Sequence, residues 1–139
     1  EIGDSIRNKF ASPVIGLPQE EPLFTINQFP VKLMEGFMTD SRNIIVIKKE
    51  NKENFKITRD QFAKPQNIFN ISGKTAADIL CLIQENATVI INTIHQTEIE
   101  ESQLSNRKSL LSPKFFKENF NISLEVPSSY QLMLKKEKI

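Results

Sequence analysis

Ile2, Ile6 and Phe10 recur at i, i+4 and i+8, a spacing that predicts a short amphipathic helix stopping before Pro13. The stretch 13–24, Pro-Val-Ile-Gly-Leu-Pro-Gln-Glu-Glu-Pro-Leu-Phe, then combines three prolines with Val14, Ile15, Leu17, Leu23 and Phe24. Proline fixes φ and removes a donor, so this stretch is expected to run extended, as a rigid strap whose apolar side chains lie on a core. Residues 23–27 read as a short strand. Residues 31–39 place Val31, Leu33, Met34, Phe37 and Met38 at helix-like spacing around Gly36.

Residues 43–49, Asn-Ile-Ile-Val-Ile-Lys-Lys, form a strong strand whose continuous apolar centre predicts an interior place in a sheet. The polar residues 50–54 turn the chain. Residues 55–58 alternate with Lys56 outward, and 68–71 resume the strand pattern after Ala63-Lys64-Pro65-Gln66. Pro65 bars a central ladder there, so a bend or an edge joins the two pieces. Thr75 and Asp78 make a near capping box for the longest element. Ile79, Leu80, Ile83, Ala87, Ile90, Ile91 and Ile94 lay an apolar stripe down this helix, and the stripe fades after Thr97 into exposed charge. Ser112-Pro113 opens a further helix with proline at its first position, carrying Phe115, Phe116 and Phe120. Residues 122–126 and 130–134 alternate and are expected to pair as closing strands.

This order predicts an α+β fold, a mostly antiparallel mixed sheet with helices packed mainly on one face, in a single domain over 1–139. The length suits one core. Eighteen basic against seventeen acidic residues leave a formal charge of +1, so no global field draws in nucleic acid or an anionic membrane. Ten Phe argue for a packed globule, while the absence of Trp and a single Tyr130 leave no aromatic platform for stacking bases or sugars. No apolar run reaches the roughly 18 residues of a membrane span, and no signal peptide is visible. Glu1 is not a Met start, so the chain reads as a piece of a longer protein whose upstream part could carry an address.

Few residues offer chemistry. Cys81 lies in an apolar run and is expected to be buried as a small hydrophobe. Ser72-Gly73-Lys74-Thr75 sits between a strand and a helix as a phosphate loop would. Ile68 stands where that motif needs a glycine, so a turn with a helix cap explains it better. The sole histidine, His95, has no second ligand at metal spacing and no nucleophile elbow to serve, and reads as a partly exposed helix residue. Glu20 and Glu21 point to opposite sides in extended chain and cannot share a proton. Asn70, Asn86 and Asn121 begin Asn-x-Ser/Thr triplets, of which Asn86 lies inside the predicted long helix. Gln19, Glu20, Arg42, Arg59, Lys64 and Gln66 lie beside proline-bearing loops. They either tie the strap to the sheet through Arg–carboxylate hydrogen bonds or bind a ligand, the first being favoured. No catalytic residue, cofactor or metal is assigned.

Asp4-Ser5-Ile6-Arg7, the strap, Arg42-Asn43-Ile44-Ile45 and Ala63-Lys64-Pro65-Gln66 occur in this order, followed by Ile122-Ser123-Leu124, Val126-Pro127 and Tyr130. In this the chain resembles an uncharacterised family of Bacteroidetes envelope lipoproteins, catalogued as domain of unknown function 4837. Phe62 stands where that family suggests a tryptophan. Its members are longer, with a lipoprotein signal, an additional first strand and a further C-terminal half. The resemblance implies a fragment or lobe of a cell-envelope lipoprotein, facing the periplasm or the surface and tethered by a lipid outside this stretch. It supplies no catalytic residues. The expected role is a non-enzymatic interaction or accessory module for an envelope protein, binding through the strap and the 63–66 turn or through the exposed distal helix 97–108. The alternative is a small anionic-ligand binder or enzyme using Arg42, Arg59 and Lys64.

Overall fold

A computed structural model describes residues 2–16 and 18–130, and the side chain of Phe37 lies outside that description. The chain divides into two compact units, Glu1–His95 and Gln96–Ile139.

In the first unit the predicted opening helix is α1, Ile2–Phe10, which buries Phe10. The strap does not lie extended on the core. Residues 12–14 and 21–23 fold back on each other around a bridge between Pro13 and Pro22, closed by Val14 N–H to Glu21 O (3.0 Å) and Leu23 N–H to Ser12 O (3.0 Å). Both hydrogen bonds come from the residues flanking the bridge, so the missing proline N–H groups fall where none is needed. Gly16, at φ +95°, makes the reversal that an L side chain resists. Phe24 and Ile26 pack on the core, whereas Val14 and Ile15 are exposed, and Leu17 lies outside the described residues. Residues 23–27 are irregular rather than a strand, because their pairing is spent on the strap and on Phe24 N–H to Phe10 O (3.1 Å). Residues 31–39 give two single 3₁₀ turns, Val31–Leu33 and Gly36–Met38, in place of a continuous helix.

Three strands follow: β1 Asn43–Lys49, β2 Asn54–Arg59 and β3 Asn67–Gly73. Their order is β1-β3-β2, with β3 parallel to β1 and antiparallel to β2. The sheet is therefore mixed, and β1 is an edge strand, not an interior one. Its apolar centre reflects cover on both sides: Ile45 and Ile47 pack on the main core while Val46 is buried on the opposite face. Two lysines end β1, as suits an edge. The most buried strand is β3, although it carries Asn67, Asn70 and Ser72. The chain makes both edges first and then inserts β3 between them, so the 50–53 connection crosses the end of β3. Glu50 N–H to Gly73 O (3.0 Å) and Ser72 Oγ–H to Lys52 O (3.2 Å) pin it there.

The long helix is α2, Ala76–Arg107, helical to the end of the stretch where the apolar stripe fades. Its predicted cap forms reciprocally: Asp78 Oδ2 accepts from Thr75 N–H (2.8 Å) and Thr75 Oγ1 accepts from Asp78 N–H (3.2 Å). Gly73 allows this hand-over from strand to helix, since a Cβ there would come within 3.0 Å of Asp78 Cβ and 3.2 Å of Ile79 N. Ile79, Ile83, Ala87, Ile90 and Ile94 meet Phe10, Phe69 and Ile71 in one core, with Ile45, Ile47, Phe55 and Ile57 packed against it. Each fully buried Ile or Phe contributes about 1.5–3 kcal/mol. Helix and core thus cover one face of the sheet. Cys81 is not in this core. It is exposed, because it sits off the Ile79/Ile83 stripe, and its thiol faces Glu85 along the helix (Sγ to Oε1, 3.4 Å).

In the second unit α3 spans Lys114–Phe120, with Pro113 at the N-cap, one position before the first helical residue. Phe115 meets Phe116 and Phe120 edge to face, at centroid distances of 5.4 and 6.1 Å. Residues 122–126 are not a strand. The segment 126–128 instead bridges 109–111, through Leu111 N–H to Val126 O (2.8 Å) and Ser128 N–H to Ser109 O (3.0 Å), again with a proline at the bridge. The expected partner strand falls mostly in 131–134, outside the described residues. Among the described residues no helix is long and apolar enough to cross a membrane.

Candidate functional site

The strand register sorts the sheet into two faces. Ile45, Ile47, Phe55, Ile57, Phe69 and Ile71 face α2. The other face carries Ile44, Val46 and Lys48 from β1, Ile68, Asn70 and Ser72 from β3, and Asn54, Lys56 and Thr58 from β2, with Val46 and Ile68 buried at its apolar end. There the sheet forms a depression of about 300 Å³, with Glu50 and Gln61 also on its lining. Ser72 is buried at its floor, where Lys52 O takes its hydroxyl. Asn70 is half-buried and donates to Thr58 Oγ1 over 3.4 Å, a long contact that leaves much of the amide's bonding capacity open. The ammonium groups of Lys48 and Lys56 rise from opposite edges, and neither joins a carboxylate in an ion pair among the described residues.

The six residues singled out from the sequence are dispersed. Gln19 and Glu20 are exposed in the strap, as is Glu21. Arg42, Arg59 and Lys64 sit at one end of the sheet: Arg42 precedes β1, its carbonyl accepting from Asn67 N–H (2.8 Å), Arg59 ends β2, and Lys64 lies in the loop 60–66. Arg59 and Lys64 are exposed, and none of the three cations lines the depression.

Gln66 is buried, and its side-chain amide is bonded to backbone groups. Its Nε2 donates to Thr39 O (2.6 Å) and Ser41 O (2.9 Å), while its Oε1 accepts from Phe62 N–H (3.0 Å). Its own backbone pairs with Asp60, N–H to Oδ1 at 2.9 Å and O from N–H at 2.9 Å. Asp60 takes a left-handed φ of 52°, and the Lys64–Pro65 bond is cis. Gln66 is a latch that closes the 60–66 loop and holds residues 39–41 to it.

The remaining reactive groups are accounted for locally. His95 is an exposed helix residue whose ring stands edge-on to Phe24 at 5.3 Å. The Ser72–Thr75 turn is a helix cap: Thr75 N–H, the donor an anion would need, is taken by the Asp78 carboxylate. That hydrogen bond, with the Thr75 hydroxyl second, holds the Asp78 carboxyl below the usual aspartate range. At Cys81 the Glu85 carboxylate, as hydrogen-bond acceptor and as a negative charge, pushes the thiol's pKa up, the opposite of what activates a nucleophile. Among the described residues no three His, Cys, Asp or Glu side chains gather as metal ligands.

Fold and surface together define a small α+β domain with one sheet face covered by helix and the other running from buried Val46 and Ile68 to a polar depression edged by Lys48, Lys56 and Glu50. The chain belongs to a family described as a domain of unknown function, DUF8532, whose model matches residues 1–107. This is a different uncharacterised domain from the one suggested by the motif order. No curated protein and no solved structure matches the chain.

Proposed function

We propose that the chain is a non-enzymatic interaction module of a lipid-anchored protein in a bacterial cell envelope, and that it engages a protein partner through the tip of its strap. One feature carries the reading. Ile15 is 100% exposed at the tip of a loop closed by backbone hydrogen bonds and a glycine reversal, with Val14 exposed beside it. An isoleucine held wholly in water forgoes about 1.5–3 kcal/mol that a partner's apolar surface restores. The hydrogen bonds that close the base of the loop, Val14 N–H to Glu21 O and Leu23 N–H to Ser12 O, lower the ordering cost of binding. The motif order from Asp4 to Tyr130 supports the envelope location and the anchor.

The test is a photo-cross-linking amino acid at position 15 of the full-length protein in its native host, with fractionation of the same cells. A discrete cross-linked protein absent when the probe stands at Lys56, together with membrane association that is lost when lipid modification is blocked, is the expected result. No discrete adduct from position 15 refutes the module, and recovery in the cytosol refutes the location.

A further inference from the structure

We propose that the open face of the sheet binds a small anionic polyol, a sugar-sized molecule bearing a phosphate or carboxylate. The inference does not rest on the strap, which contributes nothing to this face.

The first support is the floor. A strand buried between two others ordinarily carries apolar side chains on both faces if both are covered. Here β3 is apolar toward α2 at Phe69 and Ile71, whereas on the opposite face only Ile68 at one end is apolar and buried and the strand continues with Asn70 and Ser72, joined by Asn54 and Thr58 from β2. These amides and hydroxyls both donate and accept, which is what a row of ligand hydroxyls requires.

The second support is charge. Lys48 and Lys56 lie two strands apart and one row offset in register, which puts their Cα atoms about 12 Å apart by ordinary strand spacing. Their side chains are long enough for both ammonium groups to reach over the floor. Held on one concave surface and in no ion pair with a carboxylate among the described residues, they repel each other, and an anion between them relieves that repulsion. Glu50 on the lining gives the face a polarity. It accepts from hydroxyls and rejects a second negative charge, so the matching ligand is anionic at one end and hydroxylated at the other.

The third support is size and rigidity. A volume of about 300 Å³ is at the lower end of small-molecule sites and suits a monosaccharide carrying one acidic group. The end of the depression near Glu50 is pinned by Glu50 N–H to Gly73 O and Ser72 Oγ–H to Lys52 O, so the groups it presents are preorganised.

Titration calorimetry at low ionic strength, with glucose 6-phosphate, glucuronate, inorganic phosphate and glucose as separate probes, tests the assignment. At least one anionic sugar is expected to bind with Kd on the order of 0.1–1 mM, about tenfold or more tighter than phosphate or glucose alone. Which one binds tells a phosphate from a carboxylate. Lys48→Gln and Lys56→Gln are each expected to weaken binding about tenfold, while Arg59→Gln and Lys64→Gln leave it unchanged. All four are exposed positions, and circular dichroism checks that each variant folds. The proposal fails if neither anionic sugar binds at 10 mM, if inorganic phosphate binds as tightly as the sugars, or if the Lys48 and Lys56 variants bind like the parent.

Discussion

Replacing Gln66 with leucine tests whether one buried amide holds the sheet's end together. The two side chains are close in volume, so the change removes hydrogen bonds with little change in packing. Three are lost, to Thr39 O, Ser41 O and from Phe62 N–H. At about 1 kcal/mol net each they amount to about 3 kcal/mol. Burying leucine in place of an amide offsets roughly 1 kcal/mol of this, while carbonyls of residues 39 and 41 that water cannot fully reach add to the cost. The expected net loss is about 2–3 kcal/mol, a large fraction of the 5–15 kcal/mol that stabilises a typical domain. The chain has no tryptophan, so the assay is urea unfolding followed by circular dichroism at 222 nm, which reports mainly α2. With m of about 1–3 kcal/mol per molar urea, the midpoint should fall by about 1–2 M with m unchanged. Gln66→Glu should be worse at neutral pH, because a carboxylate would face two carbonyls. That carboxylate's folded pKa would be raised, so the variant should recover stability as pH falls through it and lose stability as pH rises. A midpoint shift below about 0.3 M for the leucine variant would refute the latch.

Two other expectations concern titrating groups. Glu85→Gln should lower the Cys81 pKa and speed its alkylation by iodoacetamide at about pH 8, since the carboxylate opposing the thiolate is gone; an unchanged rate would show that Glu85 does not control the thiol. The depressed Asp78 pKa contributes stability that is present above the unfolded-state value and lost as pH falls through the folded one, in the window below about pH 4. The stability difference between the parent and Asp78→Asn should therefore shrink from about pH 6 to pH 2, and a difference constant over that range would contradict the cap's electrostatic role.

Much of the fold was legible because its signals are local. The periodicity of Ile2, Ile6 and Phe10, the Ile79-to-Ile94 stripe and the Thr75/Asp78 cap each concern residues a turn or two apart, and each appears where expected. Misreadings arose where hydrophobicity stood in for tertiary position. The apolar run in β1 suggested an interior strand, yet burial on two faces and hydrogen bonding on two edges are separate properties, and β1 has only the first. The same shortcut put Cys81 inside, although one helical position decides whether a side chain meets the stripe or the solvent. At Pro13 and Pro22 the break with the preceding helix was readable, but the reversal depends on pairing between residues nine positions apart.

The candidate sheet-face site was the least legible part. Lys56 read as outward-facing from alternation alone, but nothing local joins it to Lys48, Asn70 and Ser72. Those residues share a face only because β3, later in the chain than both edge strands, inserts between them. Gln66 was singled out for its place beside Pro65, while its actual role depends on carbonyls 25 and 27 residues away. By itself the sequence determined α1, α2 with its Thr75/Asp78 cap, α3, the segments of β1 to β3 and the α+β class, because backbone propensity and side-chain period act over a few residues. Strand order, the polar sheet face and the partners of each buried polar group were decided only by the tertiary structure, because long-range pairing and burial bring together residues whose separation along the chain carries no local signal.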